Sequence, residues 1–405
     1  MFSLDRFYHI LHNNLISQFS NGKSVYFYPF GTYQNRCFLE KNTDTLEPEI
    51  KHFNQTWPTQ RSWLHCYFFD QEPYYNYTLP IIQKSQLQPG HFTGPSRINL
   101  LANSEHSELK HNFVKSNGYY DWYYFYHGFA ALDWYRDFQY FEPESFDHFD
   151  KVFICYNHLT SKYRSYRLHL VSNLIEQDLV KSGSVSLFHE GWQKTIEDPG
   201  NPLDNRARVK IYKQLRNVSD PLIIDTTAPT GDLSAGVNFD SLTSALFHVV
   251  TETVYFQDKL HLTEKVFKPI VAKRPFLLVS APGNLAYLKR YGFRTFDRWI
   301  DESYDQESDH YVRIEKITFE IAKLCAMSPE LLKQMHQDMQ EILEYNFNHF
   351  YTTFKDLIVN ELVDNFAHIL CQINNGRQPG NHSKFHQRFE LEDKYLDEVK
   401  KRLKQ

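Results

Sequence analysis

Two uninterrupted apolar runs, Ala245-Leu246-Phe247-His248-Val249-Val250 and Pro275-Phe276-Leu277-Leu278-Val279-Ser280, flank a short polar and charged stretch. Runs that are apolar at nearly every position fit strands buried on both faces, as in parallel sheets. Parallel neighbours need a crossover. Here it carries Leu262-Thr263-Glu264-Lys265-Val266-Phe267-Lys268-Pro269-Ile270. The predicted order is strand, loop, short helix, strand, which commits this part of the chain to an α/β fold. Open α/β sheets bind ligands at the C-terminal edge of their strands. Glu252, Thr263, Glu264, Lys265 and Lys268 are expected near that edge.

The rest of the chain reads in the same style. Strands are predicted at Lys23–Gly31, Trp63–Asp70, Asn99–Ser104 and Trp122–Tyr126, after a helical start through Phe19. The polar stretch Glu142–Asp147 reads as a hinge. A new α/β unit opens with a strand at Lys151–Tyr156, a polar loop, and a helix from Arg164 to Leu179 that Gly183 ends. Gly191–Asn205 reads as a loop and Pro221–Asp225 as a strand. Beyond Ser280, helices are expected at Asn284–Tyr291, Glu307–Met327 and Pro329–Ile373. The predicted organisation is two Rossmann-like α/β lobes, residues 1–147 and 148–373, with helical C-terminal returns. Residues 374–405 read as a linker and charged tail. A chain of 405 residues is long for a single core.

Composition narrows the function classes. A net charge of −5 argues against binding nucleic acid through bulk electrostatics. The five cysteines are scattered, with no CxxC pair, as expected of reduced thiols in the cytoplasm. No signal peptide is read at the N-terminus, and no apolar stretch nears the roughly 20 residues that span a bilayer. The histidines show no ligand spacing, so no metal or other cofactor is expected. Aromatic content is 16 %, with 27 Tyr and 33 Phe. Those rings supply core, or a platform for sugar rings or bases.

Individual residues carry the chemistry. A carboxylate beside a lysine at a helix start suits a nucleotide diphosphate: Glu264 can accept ribose hydroxyls while Lys265 faces phosphate. Thr263 can cap that helix. Pro269 requires either a kink or an irregular turn holding Lys265. Glu252, at a strand end, can meet a ribose, a base edge or the sugar, or can cap the next element. The basic loop before the helix at Arg164 lacks a glycine fingerprint, so side chains, Arg164 or Arg167, would reach a diphosphate. Asp70-Gln71-Glu72-Pro73 ends an aromatic strand, where apolar neighbours raise a carboxyl pKa toward that of a general base; Glu72 and Asp70 are the catalytic candidates. Trp122 and His127 are candidates for holding an acceptor.

The segment from Lys151 to Asp305 resembles the donor-binding half of GT-B glycosyltransferases, most of all the α1,3-fucosyltransferase type. The likeness rests on Glu252, on Leu262-Thr263-Glu264-Lys265, on Pro275-Phe276-Leu277-Leu278-Val279 and on the strand–loop–Arg–helix unit Ile154–Leu174. Glu72-Pro73 is similar to that family's catalytic carboxylate element. Thr-Glu-Lys-x-Phe-Lys-Pro-Ile together with Asp301-Glu302-Ser303-Tyr304-Asp305 also resembles phage-type sequences of unassigned substrate. The resemblance implies transfer of a sugar from a nucleotide-diphosphate donor to a hydroxyl acceptor without a metal. Glu264 would bind the ribose, Lys265 and either Arg164 or Arg167 the diphosphate, and Glu72 would be the base. A carbohydrate-binding protein, a nucleotide-sugar epimerase and a nucleic-acid glycosyltransferase are the alternatives. Phe267-Lys268-Pro269 departs from the fucosyltransferase pattern and leaves the donor open.

Overall fold

The computed structural model describes residues 25–28, 64–69, 98–137, 148–160, 162–187, 191–218, 222 and 239–373. The chain divides into two units, at Trp134/Tyr135 and again at Phe354/Lys355. Both units are α/β with parallel sheets.

The first unit holds a four-stranded sheet in the order β1 (Val25–Tyr28), β2 (Leu64–Phe69), β3 (Ile98–Asn103), β4 (Tyr120–Tyr123). Helix α1 (Glu108–Asn117) links the last two strands. Ser107 caps it by accepting from the Lys110 N–H, and Gly118, at φ 65°, closes it. The fourth strand stops at Tyr123, short of the expected Tyr126, because α2 (Tyr126–Leu132) begins there and buries every one of its residues. An unbroken aromatic run cannot tell strand from buried helix by periodicity.

The second unit holds a sheet in the order β6-β5-β7-β8: β5 (Lys151–Cys155), β6 (Gly183–Val185), β7 (Ala245–Thr251) and β8 (Phe276–Val279). All seven residues of β7 are buried. His248 is tolerated there because its Nε2 lies 2.9 Å from the Leu242 carbonyl. Helix α3 (Tyr166–Glu176) follows β5 after a 3-10 turn at Lys162–Arg164, so the expected helix starts later and ends earlier. Gly183 does not end that helix; it opens β6. A Cβ on it would lie 2.3 Å from the Phe153 ring on the neighbouring strand.

Like α1 and α2, two helices between β6 and Val218 were not foreseen. Within the expected loop Gly191–Asn205 lies α4 (Trp192–Glu197), and α5 (Asn205–Leu215) follows, capped by Asp204 accepting from Ala207. Of Pro221–Asp225 only Leu222 is described, bridging antiparallel to Leu187. After α6 (Phe239–Thr243) and β7 come α7 (Phe267–Val271), α8 (Asn284–Arg290) and α9 (His310–Cys325). The long C-terminal run is two helices, α10 (Pro329–Thr352) and α11 (Phe354–Ile373), which part at Thr353. The predicted helix to Phe19, the hinge at 142–147 and the tail from 374 lie outside the described residues. No helix among the described residues is long and apolar enough to cross a membrane.

Candidate functional site

In the second unit the chain runs from β5 outward to β6, then returns across β5 to β7. The order reverses between β5 and β7, and their C-terminal ends diverge into separate connections. Ligands of open α/β sheets lie at such a reversal. The segments leaving it are Tyr156–Arg167 after β5 and Glu252–Lys265 after β7.

Glu252 immediately follows β7 and is fully buried. Its Oε1 accepts from the Thr263 N–H (3.2 Å), and its Oε2 from the Thr263 hydroxyl (2.5 Å) and the Thr253 N–H (3.2 Å). Three donors neutralise the cost of burying that charge. Thr263 makes no side-chain cap bond; its hydroxyl serves Glu252 instead. The turn that follows, Glu264–Val266, is a 3-10 turn, and only then does α7 begin. Pro269 is thus in the first turn of α7, where its missing N–H would have had no intrahelical partner. Lys265 sits in the irregular turn, the second of the two arrangements the proline allowed. Phe267 anchors the segment among Phe293, Phe350 and Phe354, at 5.2–5.6 Å between ring centres.

The Glu264 carboxylate is buried, and the Lys265 side chain is 32 % exposed. The Lys265 Nζ donates to Glu264 Oε1 (3.0 Å) and to Thr263 Oγ1 (3.2 Å). An ammonium has three N–H groups; the third has no acceptor among the described residues. Lys268, on α7, is half-buried. Its charge, with that of Arg274, helps burial hold His248 down at about 4.

The two arginines have different settings. Arg167, at the start of α3, is 4 % exposed. Its guanidinium donates to the carbonyls of Leu159 (2.9 Å), Thr251 (2.9 Å) and Glu252 (3.3 Å), and to the Tyr166 hydroxyl (3.4 Å). It ties the end of β7 to the loop after β5. Arg164, in the preceding 3-10 turn, is half-exposed and has no hydrogen-bond or ion-pair partner among the described residues. The arginine with donors to offer is Arg164.

Sequence reasoning passed over the aromatic column behind these groups. Tyr166 and Tyr255 stack at 4.3 Å with planes 17° apart. Arg313, 1 % exposed, lies 4.2 Å over the far ring. The Tyr166 hydroxyl donates to the Glu252 carbonyl (2.5 Å). Tyr135 is also close: burial first, then the negative charges of Glu264 and Glu252, push its phenol well above the ordinary value, so it stays protonated. The prior signals for the column were Tyr166 beside Arg167 and Tyr255 three residues after Glu252.

Asp301–Asp305 has a structural part. The Asp305 carboxylate accepts from Leu285 (3.0 Å) and Ala286 (3.2 Å) at the start of α8, and Glu302 accepts from Phe296 (2.9 Å) and Thr295 (2.7 Å). In the first unit Trp122 is fully buried, its Nε1 donating to the Leu362 carbonyl (3.2 Å), and His127 is buried on α2. Asp70 and Glu72 lie outside the described residues. No group of three or more His, Cys, Asp or Glu side chains among the described residues is placed to hold a metal ion. No family model, curated protein or solved structure matches this chain.

Proposed function

We propose that this protein is a glycosyltransferase of GT-B architecture, moving a sugar from a nucleotide-diphosphate donor to a hydroxyl acceptor. The observation that carries this reading is Lys265: an ammonium with one N–H uncommitted, on a turn fastened by a buried carboxylate, in the connection that leaves the strand-order reversal. A fixed cation there acts where a leaving group gains charge, and fixing it in advance avoids reorganisation during reaction.

In the reaction, the bond from the sugar's anomeric carbon to the diphosphate oxygen breaks and its electron pair stays on the diphosphate. The acceptor oxygen bonds to the anomeric carbon and loses its proton to a carboxylate, for which Glu72 is the candidate and Asp70 the neighbour. Lys265 and Arg164 neutralise the departing diphosphate. Glu264 accepts from a ribose hydroxyl. Glu252, Thr263 and Arg167 keep the turn in place and act through it.

Calorimetric titration of GDP, UDP, CDP and ADP tests the reading. At least one should bind the wild type, and Lys265→Ala should weaken it by roughly 10- to 100-fold, equivalent to about 1.4–2.7 kcal/mol. Absence of binding by all four overturns the reading.

A further inference from the structure

A cleft of about 160 Å³ opens where the N-terminal ends of α3, α5 and α9 converge. Tyr166, Phe256, His310 and Tyr311 line its walls, and Asp204, Arg206 and Asp309 stand with them. Phe256, His310 and Tyr311 are half-buried, so their rings meet both protein and solvent.

The charges here differ from those around Lys265. Two carboxylates face one guanidinium. Burial lowers the pKa of both His169 and His310, so these imidazoles are neutral near pH 7. A net negative lining disfavours phosphate and accepts an uncharged ring. Arg206 is held flat: its Nε and Nη2 donate to Asp204, Nη2 also reaches Asp309, and its guanidinium lies 4.5 Å from the Tyr311 ring centre. Its Nη1 has no partner among the described residues, leaving donors suited to a carbonyl oxygen. The cleft is joined to the Lys265 turn through Tyr166, whose hydroxyl holds the carbonyl of Glu252.

We propose that this cleft receives the base of the nucleotide, a base carrying a carbonyl group, stacked on the rings and met by Arg206 Nη1. The proposal rests on the reading of the Lys265 turn as the diphosphate site. Stacking on such rings is worth about 1–3 kcal/mol per base, or roughly 5- to 150-fold in affinity.

Calorimetry separates the two sites. GDP, UDP, CDP, ADP, their nucleosides and inorganic pyrophosphate are titrated into wild type, Phe256→Ala, Ser308→Trp and Lys265→Ala. Ser308 lines the cleft and is exposed, so a tryptophan there blocks the space without emptying a core. Thermal midpoints confirm that each variant folds. The expected result is at least tenfold weaker nucleoside and nucleotide binding in Phe256→Ala and Ser308→Trp, with pyrophosphate unchanged, and ADP at least tenfold weaker than the best carbonyl-bearing nucleotide. Lys265→Ala should weaken diphosphates and leave nucleosides unchanged. Nucleotide binding that is lost in Lys265→Ala but unmoved by both cleft variants overturns the cleft and leaves the transferase reading standing. Ring-dependent nucleoside binding with no diphosphate dependence on Lys265 does the reverse. ADP binding as tightly as the others overturns the carbonyl selection.

Discussion

The Glu252 carboxylate receives both the backbone N–H and the hydroxyl of Thr263, eleven residues further along the chain. One acidic side chain thereby closes the loop between the end of β7 and the 3-10 turn that carries Glu264 and Lys265. All its donors come from protein, so its contribution is to fix the turn. Glu252→Gln replaces one acceptor oxygen with an NH₂ group facing donors in a fully buried site. The expected cost is about 3 kcal/mol of stability, read as a lower urea midpoint with an unchanged slope. Thr263→Val should cost less, because the backbone bond survives. Equal stability of Glu252→Gln and wild type would remove the latch.

Arg164 and Arg167 should separate cleanly. Removing the Arg167 guanidinium takes that donor from the carbonyls of Leu159 and Thr251 and leaves the Glu252 carbonyl with the Tyr166 hydroxyl alone. Arg167→Ala is expected to lose about 3 kcal/mol or more in unfolding free energy. Arg164→Ala touches no such bond and should stay within about 0.5 kcal/mol of wild type, yet weaken nucleoside-diphosphate binding roughly 10-fold or more. Denaturation curves and calorimetry on the same two variants check both halves.

How much of this was legible follows from what each element buries. β7 and β8 announced themselves because every residue in them is buried, so the apolar runs were continuous. α5 did not: of its eleven residues only Ala207, Ile211 and Leu215 are buried, a single stripe under a polar, basic surface. β6 was hidden by its length of three residues and by a glycine that looked like a helix stop. The acid–lysine pair at Glu264 and Lys265 could be read from residue types alone. The inward direction of Glu252 could not, because a strand-end carboxylate serves a ligand or a neighbouring turn with the same local sequence. Nor could spacing choose between the arginines. Arg164 ends a 3-10 turn and Arg167 begins an α-helix, and that change of winding sends one to the surface and the other inward.

Gly183 should resist substitution. Its φ is not in the left-handed region, so backbone strain is not the reason. A Cβ would lie 2.3–2.6 Å from three atoms of the Phe153 ring, which is itself 1 % exposed and has little space to swing. Gly183→Ala is expected to cost about 1–3 kcal/mol. Pairing it with Phe153→Leu should give less than the summed losses, since the smaller side chain relieves the overlap. Strict additivity in a double-mutant cycle would place the cost elsewhere.

Acid should destabilise the second unit through histidines that are buried neutral. Burial holds both His248 and His336 down at about 4, with the positive charge of Arg274 adding to the effect on each. Unfolded, these rings return to about 6.5. The unfolded state therefore binds more protons than the folded one between these values. Stability is fully present above pH 6.5 and falls as pH drops toward 4. Each imidazole accounts for at most about 3 kcal/mol of that loss. Glu315 has a separate, lower window: the His169 ring 3.7 Å away and hydrogen bonds from Lys210 and Asn173 hold it at about 2, so its contribution disappears only between about 4.5 and 2. Urea midpoints at pH 7.5, 6, 5 and 4.5 should fall steadily, above the window of Glu315. His336→Gln, which keeps a polar side chain but cannot titrate, should flatten the slope by up to one proton's worth. A midpoint constant from pH 7.5 to 5 would mean that these rings are protonated in the folded state.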